Sequence, residues 1–136
     1  MKVLLDTNVV LDFLLERGPF ASDAMKIIAA IERGQIEGYL CPTSVTTLHY
    51  LIARASSVKK ADGTIRKLLK LFRISRIDRT ILLEATEKNG VDYEDSVIYT
   101  SALHSAVDAI VTRDKKGFKR STVPTFTPAE FLVKLI

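Results

Sequence analysis

An α/β fold, a parallel sheet covered by helices on both faces, is what this sequence predicts. Short stretches such as residues 2–5 and 109–112 carry three successive apolar residues each instead of alternating, the pattern of strands buried on both sides. Segments with helical periodicity lie between them, and strand–helix alternation favours parallel sheets. Asp6 follows the first of these strands directly and Asp114 follows the other after Arg113, at the carboxyl edge where open α/β sheets place their sites.

Each element has its own justification. Residues 2–5 (KVLL) form the first strand. The run 7–17 (TNVVLDFLLER) carries apolar residues at 9, 10, 11, 13, 14 and 15, a well-buried helix with Thr7 or Asn8 as N-cap. Gly18 and Pro19 break it. A second helix, 22–34, has apolar positions at 24, 25, 27, 28 and 31, a cap at Ser22 and a stop at Gly34. Residues 37–41 are a short strand. A helix over 42–55 begins at Pro42, Thr43 or Ser44, and another spans 58–72. Residues 73–77 are a strand candidate. The helix over 78–90 takes Asp78 as N-cap and Gly90 as stop, and the helix over 92–106 crowds acids into its first turn. Residues 108–114 (DAIVTRD) are an apolar strand running into a polar loop, 123–128 a final short strand, and 128–136 a last helix.

The chain of 136 residues, 47% of them hydrophobic, fits a single domain over 1–136 with an ordinary core. No apolar stretch reaches the roughly 18–20 residues of a membrane span, and Asp6 interrupts the first apolar run too early for a signal peptide. Cys41, alone in the chain, can form no internal disulfide and reads as a buried small apolar residue. The expected location is the cytoplasm. The net charge is +4, with cations concentrated between Arg54 and Arg79 and again at Lys115, Lys116, Lys119 and Arg120. Such clusters suit phosphates, and they equally suit the solvated face of a helix.

The acids carry the chemistry. Asp6 and Asp114 follow strands, and Asp92, Glu94 and Asp95 open a helix. An all-oxygen cluster with no neighbouring Cys or His suits a hard cation such as Mg²⁺ or Mn²⁺, which orients a water and neutralises charge on a phosphodiester. Each acid also has a plain structural reading. Asp6 can cap the first helix, Asp92, Glu94 and Asp95 can complement a helix dipole, Asp108 and Asp114 can sit in turns, and Asp12 with Glu16 reads as a solvated i, i+4 pair. His49 and His104 read as packed or surface histidines. The order strand–DTN, helix–ED, strand–TRD is what makes the set specific.

The segments LLDTNVVLDFLLER, YEDSVIYTSALHSAVDAIVTRDKKGFK and FTPAEFL together resemble the PIN domain over nearly the whole chain. The resemblance implies a three-layer α/β/α sandwich with a short parallel sheet and a metal-dependent ribonuclease of the VapC-like toxin kind, paired with an antitoxin. It carries the family's acidic cluster onto Asp6, Asp95 and Asp114, with Mg²⁺ or Mn²⁺ as the ion. Thr7, Asn8 and Thr112 become supports, Asn8 backing the first acid and Thr112 preceding the last. RNA would meet Lys115, Lys116, Lys119 and Arg120. The resemblance also implies a homodimer, with Leu48, Leu51 and Ile52 as candidate contacts. One position departs from the pattern. The family's usual Glu in the helix after the second strand is Thr47 here, and Glu94 is the candidate helper.

Three readings compete: the ribonuclease, a catalytically weak or inactive domain binding RNA or a protein, and a phosphate-accepting signalling domain. The last needs its acceptor Asp after a middle strand, whereas DTN follows the first.

Overall fold

A computed structural model describes residues 1–87, 91–119 and 121–136. Five parallel strands, β1 (Lys2–Leu5), β2 (Glu37–Leu40), β3 (Arg73–Ile74), β4 (Ala109–Val111) and β5 (Thr125–Phe126), form one sheet in the order β3-β2-β1-β4-β5. Around it lie α1 (Thr7–Leu14), α2 (Ala21–Glu32), α3 (Pro42–Ala55), α4 (Val58–Leu71), α5 (Arg79–Ala85), α6 (Tyr93–His104) and α7 (Pro128–Leu135). The expected parallel α/β architecture is what the chain adopts.

The central strand explains the apolar runs. Val3 and Leu5 face one core, with Val9, Ile27, Leu48 and Phe131, while Leu4 faces a second core with Ile98, Ile110 and Cys41. A strand buried on both faces has no solvated side on which to place polar residues. Cys41 is fully buried, as expected. No helix among the described residues is long and apolar enough to cross a membrane.

From β1 the chain winds through β2 to β3 in one direction, then returns to place β4 on the other side of β1 and continues to β5. The direction of winding therefore reverses between β1 and β4. At such a reversal the flanking loops splay apart and leave a crevice at the strands' carboxyl ends. Asp6 leaves β1 at that point, and Thr112 to Asp114 leave β4 beside it.

Several local expectations change. The N-cap of α1 is Asp6, not Thr7 or Asn8: its carboxylate accepts from the Thr7 backbone N–H at 2.8 Å. The helix ends at Leu14 instead of Arg17, and Glu16 takes a positive φ of 49°. A 3₁₀ turn over Gly18–Phe20 leads straight into α2, so Ser22 lies inside that helix and does not cap it. Gly34 follows α2 with φ +75°, the left-handed closure its sequence position suggested. Asp78 caps α5 through the Ile81 N–H; Gly90, the expected stop, lies outside the described residues. The third strand is only two residues long; Ser75 follows it, donating its N–H to the Leu40 carbonyl at 2.9 Å and pairing its hydroxyl with that of Ser101.

Leu48 and Ile52 are buried within this one chain, packed in the first core, and Leu51 packs against it. Their apolar character is spent on the fold, and they are not a free contact surface. His49 and His104 are held at helix surfaces, by Asp62 at 2.7 Å and by Glu84 at 3.1 Å.

Candidate metal and phosphodiester site

Asp6 stands at the base of the crevice, 6% exposed. Its two oxygens are both engaged: Oδ1 by the Thr7 N–H, Oδ2 by the Thr112 hydroxyl at 2.7 Å. The same Thr112 oxygen accepts from the Asp114 backbone N–H at 3.1 Å. One hydroxyl thus ties the carboxylate after β1 to the backbone that presents the carboxylate after β4. Asp114 is exposed and turns one oxygen to the Lys116 N–H. Thr7 donates to Ser44, which fixes the start of α3 against the start of α1.

The third acid comes from α6. Asp92 caps that helix by accepting from the Asp95 N–H, so Asp95 sits in the first turn, half-buried. Its carboxylate lies against Gly117, where any Cβ would occupy the same space as the Asp95 oxygen. Burial, reinforced by the charges of Asp6, Asp92, Asp114 and Glu94, pushes the Asp95 carboxyl up to about 6. Burial also raises Asp6; the hydrogen bonds from Thr112 and Thr7 work against that rise, and the Asp114 charge adds to it. Asp6 and Asp95 therefore both lie within reach of the Asp114 charge, and Asp95 within reach of that of Asp6.

Thr47, the residue standing where an acid was expected, donates to Glu94 Oε1 at 3.4 Å. A carboxylate is thus present beside position 47, supplied by α6 instead of α3.

Asn8 is placed differently from its expected role. Its side-chain oxygen accepts from the Arg113 N–H at 3.4 Å, so it supports the loop of the last acid, not the first acid itself. Lys115 is paired with Glu130 at 3.1 Å. Lys116 and Lys119 are exposed and, with Lys115, line a hollow of about 430 Å³ beside the site. Arg120 lies outside the described residues.

Asp12 overturns its sequence reading. It is fully buried, not solvated. Arg113 grips it with Nε at 2.6 Å and Nη2 at 3.2 Å, and Arg17 adds Nε at 3.0 Å. The Arg113 guanidinium also lies 4.1 Å from the centre of the Phe20 ring. The signal was in the sequence: Asp12 interrupts VVLDFL, a run too apolar to belong to a solvated face.

Among the described residues, no three acid, His or Cys side chains converge into a ready-made cation cage. The donor set is nonetheless all oxygen, and it concentrates like charge that the Asp95 shift reports. That fits a hard cation which keeps part of its water shell.

Fold and crevice define a parallel α/β domain with an acidic centre at its topological switch point. The PIN domain family profile matches residues 2–116, and the chain belongs to that family. It is 24% identical over 135 residues to Ribonuclease VapC1 of Aquifex aeolicus (strain VF5), covering 96% of this chain and 92% of that protein. Its fold is similar to that of FitAcB from Neisseria gonorrhoeae, with a TM-score of 0.70 and 24% identity over 93% of this chain and 98% of that one. A chain of a toxin–antitoxin complex from Klebsiella pneumoniae is similar too, with a TM-score of 0.68 and 20% identity over 93% and 97% of the two chains.

Proposed function

We propose that this protein is a divalent-metal-dependent ribonuclease of the toxin type, with Asp6, Asp95 and Asp114 holding a Mg²⁺ or Mn²⁺ ion and Glu94 assisting. The observation that supports it most is the Thr112 hydroxyl joining Asp6 to the Asp114 backbone at the reversal between β1 and β4. A bound ion would supply Lewis acidity toward water and the scissile phosphodiester. The chain's own groups do the positioning. Thr112 and Thr7 fix both oxygens of Asp6. Asp95 stands on the α6 side of the crevice, pressed against Gly117. Thr47 orients Glu94 Oε1, leaving the other oxygen to take a proton from water. Lys116 and Lys119 draw the RNA backbone toward the acids.

The relative named as a ribonuclease and the relative solved in a toxin–antitoxin complex support the reading that this chain acts on RNA and is restrained by an antitoxin. A homodimer and a cytoplasmic location belong to the same reading. Light scattering at about 100 μM, where weak interfaces show, checks the dimer.

The decisive experiment is cleavage of a mixed RNA pool with Mn²⁺, with Mg²⁺ and with EDTA, for wild type, Asp6→Asn and Asp114→Asn. Cleavage by wild type that EDTA stops and both variants lose by about a hundredfold or more is expected. No cleavage by wild type with either ion would leave the second reading, a domain that binds without cutting.

A further inference from the structure

The outer face of α4 has no role in the site described above. Lys59, Lys60, Arg66, Lys67 and Lys70 are all exposed, and among the described residues none of their side chains has an ion-pair partner. At 3.6 residues per turn they fall within roughly a third of the helix circumference and extend over roughly 16 Å of its axis. The acid of this helix, Asp62, is bonded to His49 on α3. The opposite face, with Ala61 and Leu68, is buried.

Gly63 lies in the middle of the cationic arc. A Cβ added there would meet nothing within 4 Å, so packing does not require glycine. Inside a helix glycine is less favourable than alanine, because it gives up more backbone freedom on folding. What it provides is room: the helix backbone is bare between Lys59 and Lys60 on one side and Arg66 and Lys67 on the other.

Single-stranded RNA suits this surface better than a protein partner does. Protein interfaces are depleted in lysine and enriched in aromatic anchors, and the arc is mostly lysine with no aromatic residue. A row of unpaired point charges matches a row of phosphates and binds by releasing counterions. The surface is also linked to the acidic crevice. Asp62 is held by His49, on the same helix α3 whose Thr47 reaches Glu94.

We propose that the outer face of α4 is a phosphate track for single-stranded RNA, with Gly63 letting the RNA backbone come close to the helix. The track deepens the ribonuclease reading, since it holds RNA that the acidic crevice would cut, but binding is measured apart from cleavage.

The test uses a fluorescein-labelled 20-nucleotide oligouridylate in EDTA, followed by anisotropy across a salt series. The proteins are wild type, Lys59→Gln/Arg66→Gln/Lys67→Gln, Gly63→Glu, and Lys26→Gln on α2 as control. The triple variant should weaken binding at least tenfold and lower the salt slope by about 2, since each lost phosphate contact on a single strand removes about 0.7. Gly63→Glu should weaken binding as much while melting no lower than wild type, because glutamate is the better helix former and its Cβ meets open space. Lys26→Gln should bind as wild type does. Unchanged affinity and slope in the triple variant, or no binding by wild type, would overturn the track. So would a 20-residue polyglutamate that binds more tightly than the RNA and is lost in the same variants, which would make the face a protein-docking surface. If the α4 variants lose RNA binding and wild type cuts nothing with Mn²⁺, the track stands and the nuclease reading fails; if they bind and cut like wild type, the reverse holds.

Discussion

Arg113 reaches back from the loop that presents Asp114 and closes two guanidinium nitrogens on the buried carboxylate of Asp12, at 2.6 and 3.2 Å. The pair joins α1 to the residue before Asp114. The path of the chain after β4 is therefore set by a charge contact inside the first layer of helices. Asp12→Asn removes the charge and leaves two arginines facing a neutral amide. A stability loss of about 3 kcal/mol is expected, the low end for a broken buried pair, because both arginines keep some water contact. Urea unfolding measures it, and a loss under about 1 kcal/mol would show that the pair is dispensable.

The raised Asp95 carboxyl gives a pH dependence with a definite sign. Between its usual value of 3.8 and its value in the fold of about 6, the folded chain holds a proton that the unfolded chain has released. Stability of the metal-free protein from this group therefore falls as pH rises through that window. Asp95→Asn should melt like wild type near pH 4 and higher than wild type at about pH 7.5. Melts in EDTA at the two pH values test this, and an equal difference at both would contradict it.

Glu94 and Thr47 make a reciprocal test. Glu94→Gln should weaken Mn²⁺ binding several-fold, since one anionic ligand or neighbour is lost. Thr47→Glu in the Glu94→Gln background returns a carboxylate to the same corner, because the two side chains touch at 3.4 Å. Calorimetric titration should show recovery in the double variant. Failure to recover would mean that Glu94 acts from a position which position 47 cannot reach.

Gly117 lies where the Asp95 carboxylate needs space. Gly117→Ala should displace that carboxylate and lower Mn²⁺ affinity and RNA cleavage together by about tenfold or more, the loss typical of a disturbed supporting shell. Far-ultraviolet circular dichroism should be unchanged. Wild-type affinity in this variant would place Asp95 outside the ion's shell.

The parallel sheet and its order of elements were legible because period and composition report burial directly: β1 and β4 read as apolar runs, and both are buried on two faces. That Asp6, Asp95 and Asp114 lie near one another was legible because each follows or opens an element at one edge of the sheet. What escaped was lateral. Asp12 was misread because i, i+4 spacing to Glu16 says nothing about a partner 101 residues away. Leu48 and Ile52 were offered as contact residues because sequence does not separate a helix face turned to the core from one turned to a second chain. Glu94 was named as the candidate helper, but the hydrogen bond it accepts from Thr47 depended on how α3 packs against α6, which no local pattern encodes.

The hydrogen bond between Thr112 and Asp6 spans 106 residues. Its two ends leave the ribosome at different times. At about 5–20 residues per second, the interval between making the first acid and the last is roughly 5–20 s. Until β4 follows, β1, destined for the middle of the sheet, has at most β2 on one flank and nothing on the other. A chain ending before residue 109 lacks β4, Thr112 and Asp114, so its Asp6 has neither the neighbouring strand nor the hydroxyl that holds Oδ2. The strand order thus makes the closing of the sheet around Asp6 one of the last contacts that synthesis allows.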